Sequence, residues 1–147
     1  MRLHTEILKL DTNKELELIN ITDKIKDIVS CLPIKNGRVN LFSKHTTMSI
    51  KINEDEKFLL KDLQWLMTHI APEDNEYEHD KIHLRPDCPA NEPKNAKGHL
   101  RSMLMETSQM IPLLSNELQL GKYQSIFAVE TSGPRAREIV VQVFGEP

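Results

Sequence analysis

The spacing of hydrophobic residues changes several times along this chain, and each change marks an element. Polar and apolar residues alternate over "MRLHTEILKL", as in a half-buried strand, and "ELELINI" at 15–21 continues the pattern. A hairpin is therefore expected around "DTNK". Thr22 then stands as a helix N-cap before Ile25, Ile28, Val29 and Leu32 at helical spacing, and Pro33 ends that helix. Asn36-Gly37 supplies a turn. Val39 and Leu41 open a strand that leads into "KHTTMSIKIN", where Met48, Ile50 and Ile52 alternate again. The clearest helix runs from Glu54 to Ile70. Leu59, Leu63, Leu66, Met67 and Ile70 form its apolar stripe, acidic residues load its first turn, and Pro72 closes it. That stripe is expected to be core, not a ligand groove.

The period then disappears. "PEDNEYEHDKIHLRPDCPANEPKNAKGHLRS" is long, polar and rich in Pro and Asn, the kind of segment that is functional or disordered within a compact domain. Periodicity returns in a short helix over Ala96–Glu106, with Leu100, Met103 and Leu104 facing inward. Strands follow around Met110–Leu113, Tyr123–Glu130 and Glu138–Phe144, with turns at "SNE" and "TSGPRAR". Helices mixed with largely antiparallel strands predict an α+β fold. At 147 residues the chain is expected to form one domain spanning 1–147.

Composition narrows the function classes. A chain 39% hydrophobic and 28% charged has the make-up of an ordinary soluble globule. Its net charge of -3 disfavours a dominant nucleic-acid surface. No apolar run approaches the roughly 18 residues of a membrane span, and the first residues lack a signal-peptide core. The expected location is the cytoplasm. Cys31 and Cys88 form neither a disulfide framework nor a zinc pair. Cys31 reads as a small core residue on the apolar side of its helix.

Chemistry is concentrated in few places. His45 stands where a loop enters a strand, a position that can aim a rigid imidazole into a cleft; its plain alternative is a ring satisfied at the strand end. His79 and His83 are four apart but lack a convincing helix and the glutamate of a zinc-protease motif. His99 lies near a helix start, and Asn95 before it could cap that helix or hold a substrate group. Glu130 is a carboxylate at the end of the apolar run "IFAV". Arg135 and Arg137 follow with period two, so both could project from one sheet face and grip phosphate or carboxylate. An exposed, salt-bridging edge is the equal alternative. No phosphate-binding glycine loop, nucleophile elbow or CxxC is present.

The ordered set "HTTMSIKINED", "APEDNEYEH", "NAKGHLRSML" and "TSQMIPLLSNELQLGKYQSIFAVETSGPRAR" resembles the YjbQ family from about Leu3 to Val143. The family's Ser-x-x-Ile-Pro, Gly-turn and Leu-x-Leu-Gly-x-Trp-Gln pattern is matched by Ser108, Ile111, Pro112, Leu118, Leu120, Gly121 and Gln124. Asn116 takes the usual Gly place, and Tyr123 the usual Trp place. The resemblance implies β-sheets packed face to face with two or three helices, in a homotrimer. It also implies thiamine phosphate synthase activity of a weak or secondary kind, joining a pyrimidine methyl diphosphate to a thiazole phosphate. In that reading His45, Asn95, His99 and Glu130 are the catalytic candidates. Thr46, Thr47, Tyr123, Arg135 and Arg137 would bind substrate. His45, His79 and His99 are the candidate ligands of a divalent metal, zinc at such imidazoles or magnesium with the diphosphate. The alternative is a trimeric binding module that holds a small phosphorylated metabolite or a divalent ion without turning it over.

Overall fold

The computed structural model describes residues 1–89 and 91–147. Its elements, in chain order, are β1 (Arg2–Asp11), β2 (Glu17–Asn20), α1 (Thr22–Ser30), β3 (Asn36–Ser43) and β4 (Met48–Glu54). They continue with α2 (Lys57–Ile70), α3 (Ala96–Met103), β5 (Ser108–Leu114), β6 (Glu117–Leu118), β7 (Gln124–Glu130) and β8 (Ala136–Glu146). The strands make two antiparallel sheets, ordered β1-β8-β3-β5-β6 and β2-β7-β4. The α+β reading holds. No helix among the described residues is long and apolar enough to cross a membrane.

The main core lies where the inner faces of the two sheets meet. Val39 and Leu41 of β3, Ile111 and Leu113 of β5, and Ile139, Val141 and Val143 of β8 face Met48, Ile50, Ile126 and Ala128. Ile25 and Val29 of α1 close one end. β7 is buried on both faces, which explains its unbroken run "IFAVE": Phe127 and Val129 turn away from the main core toward Met67 of α2. The sheet partly covers the α2 stripe. Met67 is buried, yet Leu66 and Ile70 are 46% and 50% exposed, beside an apolar cavity of about 150 Å³. The outer face of the larger sheet is also bare. Phe42, Met110, Ile7 and Leu3 are exposed there, near the half-buried Val140 and Phe144 of β8.

Several boundaries differ from the sequence expectation. Glu54 ends β4, opposite Gln124, and α2 is capped by Glu56, whose carboxylate accepts the Phe58 and Leu59 N–H groups at 2.9 Å each. Ile21, not Thr22, is the N-cap of α1; the Thr22 hydroxyl instead donates to Asn20 Oδ1 at 2.6 Å and accepts from Ile126 N. Cys31 lies beyond the last turn of α1 and is exposed, so it is not a core residue. α3 ends at Met103, and Leu100, Met103 and Leu104 are exposed; its buried positions are Ala96, Gly98, Arg101 and Ser102. The polar stretch after Pro72 holds two 3₁₀ turns, at Glu78–Asp80 and Ile82–Leu84. Asn116 has φ 64°, the left-handed turn conformation that asparagine tolerates better than most residues.

Candidate functional site

The "HTT" head forms the β3–β4 connection, and four hydrogen bonds set its shape. Ser43 Oγ donates to Met48 O at 2.7 Å, and His45 N donates to Ser43 Oγ at 3.3 Å. Thr47 O accepts both the N–H and the hydroxyl of Thr131, at 3.0 and 2.7 Å. The three residues then part company. Thr47 is buried, Thr46 is exposed, and His45 is half-buried at the rim of a cavity of about 700 Å³ shared with Lys9, Asp11, Lys24, Arg137 and Glu138.

The backbone N–H of Glu138 donates to His45 Nε2 at 2.9 Å. A backbone amide can only donate, so Nε2 carries the lone pair and the neutral ring holds its proton on Nδ1. Burial lowers the pKa of His45 below the ordinary histidine value, and the Arg137 charge adds to that; Glu130 and Glu138 oppose it less strongly. His45 is therefore a neutral hydrogen-bond donor. In this state it has no free lone pair for a metal.

Beneath His45 lies a buried ion pair. Glu130 is 0% and Arg137 5% exposed. Arg137 Nε and Nη2 donate to the two Glu130 oxygens at 2.6 Å each, the fork geometry that suits a guanidinium and a carboxylate. Ser132 N and Thr12 Oγ1 complete the carboxylate shell at 2.8 and 3.0 Å, and Arg137 Nη2 also reaches Thr47 Oγ1 at 2.8 Å. Burial pushes the Glu130 pKa up. The Arg137 hydrogen bonds and charge, with the Ser132 and Thr12 bonds, outweigh it and hold the group below the usual carboxylate range. Glu130 is thus an ionised positioning residue. Arg137 also lines the cavity beside His45.

Arg135 does not share that face. It precedes β8, is exposed, and its Nε donates to Ser132 O at 2.7 Å. The period-two expectation fails because the chain is still in the turn at Arg135. Tyr123 is 63% exposed, with Lys122 over its ring, and does not line the His45 cavity.

A second polar cluster forms around the start of α3. Asp80 Oδ1 accepts the Ala96 N–H at 3.0 Å and docks the first 3₁₀ turn there. This brings the His79 and His99 rings to 4.9 Å between centroids, at 67°. Asn95 Nδ2 donates to Ser132 Oγ at 3.2 Å. His99 is held below the ordinary histidine pKa by burial first, then by the charges of His79, Arg135 and Arg85, against Glu92. α3 can lie this close to β7 because residue 98 is glycine. A Cβ there would meet Thr131 O at 2.6 Å, and Gly98 O accepts the Thr131 hydroxyl at 2.8 Å.

Two of the three expected metal ligands, His79 and His99, are thus together, while His45 faces another cavity. Among the described residues no three His, Cys, Asp or Glu side chains are grouped as ligands within one chain. His83 and Asp87 are exposed, and Cys88 is half-buried with its thiol free. Sequence reasoning missed Thr12, Ser132, Lys9, Lys24 and Glu138. Nothing in their spacing marks them, since Thr12 reaches Glu130 across 118 positions.

Comparison with known proteins gives a consistent picture. The family described as "UPF0047 protein YjbQ-like" matches residues 6–146. A UPF0047 protein of Methanothermobacter thermautotrophicus is 38% identical over 147 residues, covering 100% of this chain and 96% of the relative. One from Synechocystis is 35% identical over 148 residues, covering 99% and 94%. Among solved structures, a "YbjQ-like protein of unknown function" from Sulfolobus solfataricus superposes with TM-score 0.86 at 29% identity, covering 99% of each chain. A hypothetical protein from Aeropyrum pernix gives 0.85 at 26% identity, covering 97% of this chain and 99% of that one.

Proposed function

The chain belongs to the UPF0047 YjbQ-like family, and from that premise we propose that it is a secondary thiamine-phosphate-synthase-like enzyme whose His45 cavity takes the diphosphate substrate. The observation that carries this reading is the bond from Glu138 N to His45 Nε2. It makes the imidazole a donor at a cavity whose other donors are Arg137, Lys9 and Lys24. Of the acidic neighbours, Glu138 is paired with Lys44 at 2.8 Å and Glu130 with Arg137. Asp11 is the remaining carboxylate on the lining, so Lys9 and Lys24 are the cations left to face an anion against that one acidic group.

The proposed reaction asks for such a site. One C–O bond of the pyrimidine methyl diphosphate breaks, and pyrophosphate leaves with the electron pair. The thiazole nitrogen then forms the new C–N bond with its own lone pair. No proton has to be removed, so an imidazole fixed as a donor is the useful form, and a general base is not required. His45 Nδ1–H and Arg137 would stabilise the charge growing on the leaving oxygens. Magnesium, when bound with the diphosphate, would supply further charge neutralisation. Glu130 acts through Arg137 by fixing its plane.

The working form is proposed to be a homotrimer. Its support is the bare outer face of the larger sheet, where Phe42 and Met110 stand exposed.

The test is incorporation of labelled pyrimidine methyl diphosphate into thiamine phosphate by purified protein with Mg²⁺. Wild type should form product above a metal-and-buffer blank, and His45→Ala should lose most of it. Product at blank level from wild type overturns the enzyme reading. If the substrate is then held stoichiometrically without turnover, the protein is a binding module instead.

A further inference from the structure

We propose that His79 and His99 bind a divalent transition-metal ion, with the Asn95 side-chain oxygen as third donor, in a centre separate from the His45 cavity. Three observations meet there. The first is distance: two imidazoles sharing a tetrahedral ion with metal–nitrogen bonds near 2.0–2.1 Å hold their ring centres roughly 5 Å apart. The observed separation is 4.9 Å.

The second is incomplete hydrogen bonding. His79 Nε2 and Asn95 Oδ1 are both buried with no hydrogen-bond partner. A buried polar atom left in that state costs free energy, and native structures seldom leave one without a partner, water or ion. Asn95 is the N-cap residue of α3, and the His99 N–H donates to Asn95 O at 3.3 Å, so both residues belong to the first turn of that helix.

The third is that the cluster is held in place from several directions. Asp80 ties the His79 turn to Ala96 N, Arg85 Nη1 donates to His79 O at 3.3 Å, and Ser132 Oγ accepts from Asn95 Nδ2. Such outer contacts orient ligands before an ion arrives.

Imidazole donors favour zinc and the later transition metals over magnesium. Two imidazoles and one neutral oxygen leave coordination positions open. The charges of Arg85 and Arg135, which act on His99, would steer an anion to those positions. His45 is excluded because its Nε2 lone pair is already used by Glu138 N.

The experiment is a visible-absorption titration of chelator-treated full-length protein with Co²⁺ alone, followed by Zn²⁺ displacement. One saturable cobalt band per chain is expected, lost on adding one equivalent of zinc. His79→Gln and His99→Gln should each weaken Co²⁺ at least about tenfold, as loss of even an outer-shell partner does at many sites. Both variants should keep the wild-type circular dichroism spectrum. His83→Ala and His45→Ala should bind as wild type. The proposal is overturned if no saturable band forms, if the band survives in the double variant lacking His79 and His99, or if it disappears with His45→Ala. These outcomes do not depend on thiamine phosphate formation, so failure here is distinguishable from failure of the enzyme assay.

Discussion

Replacing Arg137 with Met keeps most of the side-chain volume and removes the cation from the Glu130 shell. Glu130 is fully buried, and Arg137 provides two of its four hydrogen bonds, both at 2.6 Å. Breaking a buried pair by removing one partner costs about 3–5 kcal/mol, because the remaining charge is left without compensation. At this chain length each kcal/mol moves the midpoint by about 2–4 °C, so the melting temperature should fall by roughly 6–20 °C. The pH dependence gives the sharper check. In wild type the Glu130 pKa is depressed, so its stabilisation is present above the unfolded-state pKa and is lost as pH falls through the folded value. In Arg137→Met burial is largely unopposed, and the folded pKa rises above the unfolded one. Protonation then favours the folded state, so the deficit of the variant should shrink as pH is lowered from 7 to 5. The double variant Glu130→Gln, Arg137→Met should be less destabilised than Arg137→Met alone at pH 7. The assay is urea unfolding at one fixed protein concentration. A deficit under about 1 kcal/mol, the scale of an exposed ion pair, or one that does not change with pH, refutes the reasoning.

Gly98→Ala should lower the melting temperature, although alanine in a helix interior ordinarily stabilises. The added Cβ would stand 2.6 Å from Thr131 O, and overpacking of this kind costs about 1–3 kcal/mol; a raised midpoint in a thermal melt would contradict the packing described. His45 resists protonation in the fold, so its contribution to stability is present above the ordinary histidine pKa and declines as pH falls below it. Unfolding of His45→Gln should lack that decline, and an unchanged profile from pH 7.5 to 5.5 would count against it. Sedimentation equilibrium should return three times the 17.0 kDa chain mass, and Met110→Lys on the bare sheet face should shift it toward monomer; a monomeric wild type would remove the proposed assembly.

How much of this was legible in the sequence depended on how locally each feature is determined. Alternation found β4 and β7, and helical spacing found α2, because a side chain's face follows from its position in the element. The ends were harder to read. Nothing near Glu54 says that it will pair with Gln124 rather than open a helix, since that choice is made by a strand about seventy residues later. The spacing predicts that the α2 stripe is core, but burial depends on what covers a face, and Leu66 and Ile70 are only about half covered. At the site, the "HTT" head reaches the cavity through His45, while Thr46 is exposed and Thr47 is buried against Thr131. His45 met part of its plain alternative, a ring satisfied by the backbone, and still kept a proton free at the cavity. Arg135 and Arg137 looked alike because period two assumes a strand, whereas β8 begins only at Ala136. The Glu130–Arg137 pair was not visible as a pair. Glu130 stands out as a carboxylate after "IFAV", and its partner seven residues on is reached only through the turn between them.

Long-range ¹H–¹⁵N correlation of the histidine rings, recorded at neutral pH with and without pyrophosphate, tests the His45 centre most directly. The prediction is a proton on Nδ1 of His45, a lone pair on Nε2, and a saturable shift of that Nδ1–H as pyrophosphate binds. A His45 ring protonated on Nε2, or one unmoved while pyrophosphate saturates the protein, would contradict it.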